Sequence, residues 1–111
     1  MKPEAKKLAI AEYKKRASVA GIYAVRCHAT GEIWVGQAFD LDKIQNRIWF
    51  SLRTGGHSNA ELQLAWSIHG EAGLSFETLE RLKEEELPYV RDALLKERLM
   101  HWRAALNGSA A

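Results

Sequence analysis

The chain has 111 residues, 47% of them hydrophobic and 27% charged, with a net charge of +2. That length makes one domain, too small for two ordinary cores, of ordinary globular composition. The charge is too small to announce nucleic-acid binding by itself. Cys27 is the sole cysteine, which excludes an intrachain disulfide and a thiolate zinc cluster. Its strand-like neighbourhood suits a small buried hydrophobe. No apolar run approaches the length of a membrane span and no basic-then-apolar leader opens the sequence, so a cytoplasmic protein without membrane attachment is expected.

In chain order, Pro3 suits the first turn of a helix over Pro3–Ala17, rich in Ala, Lys and Glu. Lys2, Lys6, Lys7, Lys14, Lys15 and Arg16 stand here against Glu4 and Glu12. Such a basic end can follow a phosphate backbone by releasing counterions, or can serve as a solvated face. Residues 1–18 are read as an added helical extension docked through Leu8, Ile10 and Tyr13, and residues 19–108 as the main domain. Gly21–Cys27 and Glu32–Gly36 read as two strands joined by a turn at Thr30-Gly31. Asp40 caps a helix running to Arg53, where Thr54-Gly55-Gly56 ends it. Ser58 with Glu61 forms a capping-box pattern for a second helix ending at Gly70, with Asn59 as a further capping candidate. Leu74–Leu79 alternates as a third strand. A last helix covers Glu86–Leu106, with Pro88 in its first turn and Gly108 as its stop.

The order helix, strand, strand, helix, helix, strand, helix gives an α/β fold of the α+β type. A small three-stranded antiparallel sheet is flanked by helices. Leu41, Ile44, Ile48 and Leu52 make one apolar stripe; Leu95, Leu99, Trp102 and Leu106 make another. Leu62, Ala65, Trp66 and Ile68 fill the same role on the middle helix. Trp49 and Phe50 are adjacent, so one covers the core while the other faces the added helix or a nucleic-acid base. His28, His69 and His101 show no metal-ligand spacing and read as structural or surface residues. Glu84-Glu85-Glu86 reads as an acidic helix start.

Gly21-Ile22-Tyr23 and Trp34-Val35-Gly36 fall on neighbouring strands, and this pair resembles the signature triplets of the GIY-YIG nuclease superfamily. The second triplet has Trp34 where the family usually has Tyr, and an indole cannot exchange a proton as a phenol can. The resemblance continues through Gly36–Leu41, Gly56-His57-Ser58-Asn59, Leu62–Trp66, His69-Gly70 and Phe76–Glu80.

What the resemblance implies is a metal-dependent DNA endonuclease with a variant active site. Tyr23 would help activate water, an Arg from the first core helix would contact phosphate, and a Glu from a later helix would hold Mg2+ or Mn2+. The family's Arg position falls on Ile44, with Arg47 roughly one turn on. A shifted alignment brings Arg47 to the phosphate and Ser51 to a position where the family often has His; otherwise Ile44 and Ile48 fill both positions. Glu97 matches the metal-binding Glu, whereas alignment on Trp102 puts Leu99 there. Both alternatives stay open, with Tyr23, Arg47 and Glu97 as the catalytic set. His57 is a phosphate contact or a helix cap. Trp34 offers a stacking face suited to single-stranded or distorted DNA. The alternative function is a degenerate domain that binds nucleic acid or, through the N-terminal helix, a protein partner.

Overall fold

The computed structural model describes residues 19–83 and 87–111. The N-terminal helix expected over Pro3–Ala17 and the acidic run Glu84–Glu86 lie outside the described residues. The elements are β1 (Gly21–Cys27), β2 (Ile33–Ala38), α1 (Leu41–Arg53), α2 (Ala60–His69), a 3-10 turn (Glu71–Gly73), β3 (Leu74–Arg81), α3 (Pro88–Leu106) and β4 (Ser109–Ala110). β1 pairs antiparallel with both β2 and β3. The sheet has four strands rather than three, in the order β3-β1-β2-β4, because Ser109 and Ala110 add a short parallel strand beside Trp34 and Val35. A two-residue strand of small side chains carries no period-2 pattern, so nothing local announces it.

Register divides the side chains between two faces. Tyr23 lies opposite Gly36 and Val25 opposite Trp34, while Ala24 lies opposite Val35. The first face packs under α1 and α2 in a core of Tyr23, Val25, Trp34, Ile48, Trp49, Leu52 and Leu62. The second packs under α3 in a separate core of Ile22, Ala24, Val35 and Leu95, joined by Leu99, Trp102 and Leu106. Each fully buried aliphatic side chain contributes about 1.5–3 kcal/mol. Both expected stripes are therefore real and serve opposite faces. Cys27 is a buried free thiol, as its setting suggested.

Asp40 caps α1 by accepting from the Asp42 and Lys43 amides at 3.1 and 3.3 Å. At α2 the cap is Asn59, whose Oδ1 accepts from Leu62 N at 3.1 Å, so the Ser58/Glu61 pattern gives way to the neighbouring amide. Trp49 is buried and Phe50 exposed, which settles the order of that pair. Ile68 departs from the reading of α2, since it is 65% exposed while Leu62 and Ala65 fill the core.

Candidate active site

Tyr23 is central in β1, flanked by Gly36 on β2 and Thr78 on β3. Its ring stacks on Phe76 at 5.3 Å between centroids and is buried. The phenol lies directly over Gly36, where any Cβ would collide with its ring and hydroxyl. The second-triplet glycine is thus the floor on which the first-triplet tyrosine rests. Among the described residues the Tyr23 hydroxyl has no hydrogen-bond partner. Burial pushes its pKa above the ordinary 10.0. At neutral pH it is a protonated phenol, able to donate a hydrogen bond but not to accept a proton.

A cleft of about 310 Å³ opens over this phenol. One wall is α1, which presents Ile44, Arg47, Ile48 and Ser51; the other is the loop Gly56-His57-Ser58, with Ala111 at the mouth. The two alignments of α1 therefore describe neighbouring halves of one surface. The isoleucines form an apolar floor and Arg47 stands at its rim, exposed and with no ion pair among the described residues.

Ser51 and His57 form a pair that the sequence does not announce. Ser51 Oγ is 2.8 Å from His57 Nδ1 and 2.8 Å from the Ile48 carbonyl. A hydroxyl has one proton, and the carbonyl can only accept it. Ser51 therefore accepts from His57 Nδ1–H, which leaves Nε2 of the neutral imidazole unprotonated. That Nε2 is covered and has no partner among the described residues. Burial lowers the His57 pKa below the ordinary 6.5, so neutrality prevails at pH 7. The loop is braced by His57 N donating to Gln63 Oε1 at 3.2 Å and Gln63 Nε2 donating to Leu52 O at 3.0 Å. A hydroxyl one helical turn from the end of α1 facing a loop histidine was the available signal, and it is weak.

Two nominated residues are elsewhere. Trp34 is fully buried beneath α1 and α2, and its Nε1 has no partner among the described residues. It cannot stack on a base, because its register opposite Val25 points it into the core. Glu97 is exposed on α3, the helix that covers the opposite face of the sheet. The structure does not bring it to Tyr23 and Arg47. Leu99, its rival for the same role, packs into the second core.

The side chains lining the cleft supply a phenol, a guanidinium, hydroxyls and an imidazole, but no side-chain carboxylate. Among the described residues no group of three or more His, Cys, Asp or Glu is placed to hold a metal ion. This donor set does not fit Mg2+ or Mn2+, which favour carboxylate oxygen ligands. Among the described residues no helix is long and apolar enough to cross a membrane.

No protein-family model matches the chain. Intron-associated endonuclease 1 of Enterobacteria phage T4 is 32% identical over 88 residues, which are 79% of this chain and 33% of that protein. The chain thus spans about a third of the length of that curated relative. Among solved structures, the catalytic domain of homing endonuclease I-TevI superposes with a TM-score of 0.67 at 30% identity, covering 79% of this chain and 88% of that one. A Glu-to-Ala mutant of the catalytic domain of intron endonuclease I-TevI gives a TM-score of 0.68 at 29% identity, covering 80% and 84%. At 30% identity over 88% of that catalytic domain the likeness shows the family: the chain belongs to the GIY-YIG nuclease superfamily.

Proposed function

We propose that the chain acts on DNA as a GIY-YIG-type nuclease domain, hydrolysing phosphodiester bonds in the cleft over Gly36. The observation that carries this reading is the convergence of Tyr23, Arg47, Ser51 and His57, from a strand, a helix and a loop, on one cleft. The endonuclease names of its relatives support the reaction class.

In hydrolysis, water attacks phosphorus, the bond to the leaving oxygen breaks, and that oxygen takes up a proton. Arg47 offers paired N–H donors to the non-bridging oxygens, whose charge grows as water adds. Tyr23, held as a phenol, donates to a phosphate oxygen. His57 Nε2 is the cleft's proton-accepting atom, oriented through Ser51. Because Nε2 is covered, the Gly56-His57-Ser58 loop must shift before a water reaches it. The Mg2+ or Mn2+ that the family resemblance implies has no fitting set of side-chain ligands in the cleft.

A second reading is favoured by that same donor set. With Ile44 and Ile48 on its floor and no carboxylate side chain in its lining, the cleft suits holding DNA without cutting it. Supercoiled plasmid and a labelled single strand, incubated with added Mg2+ or Mn2+ and again with a chelator, separate the two. The nuclease reading expects nicking that Tyr23→Phe or Arg47→Ala lowers at least tenfold, and a lining without carboxylate side chains expects that nicking to persist in the chelator. Binding without any strand scission establishes the second reading instead.

A further inference from the structure

A second hollow, of about 340 Å³, adjoins the cleft and shares two of its lining residues, Ile44 and Arg47. Its other walls are Gln37 and Ala38 at the end of β2, Phe39, Asp40 and Lys43. Arg47 therefore stands on the ridge between two hollows of nearly equal size. Each is at the small end of the range that ligand sites occupy.

Their chemistry is similar as well. The first presents the half-exposed Ile44 side chain as its apolar surface, with Ile48 and Tyr23 nearly closed off beneath it and hydrogen-bonding groups at its rim. The second has the Phe39 ring, 53% exposed, with Gln37 as a donor and acceptor beside it. Arg91 of α3 lies over the Phe39 ring at 4.6 Å from its centroid and holds it in place. Asp40 brings the second hollow its one carboxylate. Its Oδ1 already accepts two backbone amides, and its Oδ2 lies 3.9 Å from Lys43 Nζ, so its charge is locally answered.

An apolar surface with a polar rim on each side of one guanidinium that has no ion pair among the described residues has the pattern base, phosphate, base. We infer that the two hollows take successive bases of a single DNA strand, with the phosphate between them held by Arg47. In a duplex the bases are paired and stacked inward and cannot enter such hollows without being pulled out. Unpaired bases can splay apart and lie on apolar or aromatic surfaces. This deepens the proposal that DNA is the substrate and rests on it: the phosphate on Arg47 is the one that proposal would cut, and the base in the first hollow lies beside Ile44, leaving the Tyr23 hydroxyl and His57 to that phosphate. It moves strand selectivity from Trp34, which is buried, to Phe39 and Ile44.

The test is fluorescence anisotropy of the whole chain with labelled oligothymidylates of one, two, four and eight nucleotides, and with an eight-pair duplex, across a salt series. Affinity should rise most steeply from one nucleotide to two, and the single strand should bind at least tenfold tighter than the duplex. Phe39→Ala and Ile44→Ser should each weaken single-strand binding about tenfold without changing its salt dependence, because base contacts release no counterions. Arg47→Gln should weaken binding and lower the salt slope by about 0.7. Phe39→Trp, which enlarges the ring, should preserve affinity and guard against a folding artefact at that position. Equal affinity for single strand and duplex, or no loss in Phe39→Ala and Ile44→Ser, overturns the inference while leaving DNA as the ligand. Failure of the parent protein to bind either form removes the DNA reading and the inference with it.

Discussion

Gly36 and Trp34 sit two residues apart on one strand, on the same face, and do opposite things for Tyr23. Gly36 leaves the space that the phenol fills. Trp34 fills the space beneath α1 and α2 and never meets solvent. Trp34→Ala should therefore cost about 3–5 kcal/mol in urea unfolding, with equal proportional losses of single-strand and duplex binding in the fraction that stays folded. A strand-selective loss with unchanged stability would contradict this. Gly36→Ala has a narrower effect, since the colliding group is the Tyr23 ring rather than backbone, and moving it spoils the cleft first. Tyr23 and Gly36 were legible in the sequence because the triplets that carry them are local. The Ser51–His57 pair was not, because one hydroxyl and one imidazole across a helix end leave no periodicity to read. Nor could the burial of Trp34 be read, since an aromatic on a strand suits either a stacking surface or a core until its partner strand is known.

At the scale of elements, β3 and α3 are joined by one carboxylate. Glu80 Oε1 accepts from Arg98 Nε and from Trp102 Nε1, each at 2.8 Å. Partial burial pushes the Glu80 pKa up, but the hydrogen bonds from Trp102 and Arg98 and the charges of Arg98 and His101 outweigh it. The net result lies below the ordinary 4.5. Since the folded pKa is depressed, the unfolded chain binds more protons in this window. The contribution is complete above about pH 4.5 and fades as pH falls through the folded value. Glu80→Ala should lower stability at pH 7 by about 1–2 kcal/mol, discounted because the pair is partly solvated. The difference from the parent should vanish in acid, which a pH series of thermal melts will show. Next to this clamp the ladder shifts between Ile22 and Tyr23, and Gly21 lies so close to the Glu80 carbonyl that a Cβ would strike backbone. The first glycine of the signature is thus a packing requirement of the sheet. The stripe on α3 was legible from its spacing. Which face of the sheet it covers was not, and that decides that Glu97 lies away from the cleft.

At the scale of the molecule, the two cores of the described residues lie on opposite faces of the sheet, and the cleft belongs to one of them. From Gly21 to Leu106 the order of strands and helices was legible because long periodic segments and caps write themselves locally. The fourth strand was not, since its pairing depends on where α3 delivers the chain. Asn59 shows what that pairing achieves. Its Oδ1 accepts from Leu62 N at the start of α2, while its Nδ2 donates to Ala110 O of β4 at 2.6 Å. The helix under one face is thereby tied to the strand at the sheet's edge, beside the Ala111 that lines the cleft mouth. An amide does both jobs because it carries a donor and an acceptor; a carboxylate keeps only the second. Asn59→Asp should therefore leave α2 capped while the Ala111 amide, bonded to Val35 O, loses protection in hydrogen exchange. Unchanged protection at that amide would show the tie to be dispensable. One nitrogen exchanged for one oxygen turns a fastened doorway into an ajar one, and makes the width of the entrance a property that can be tuned apart from the chemistry inside.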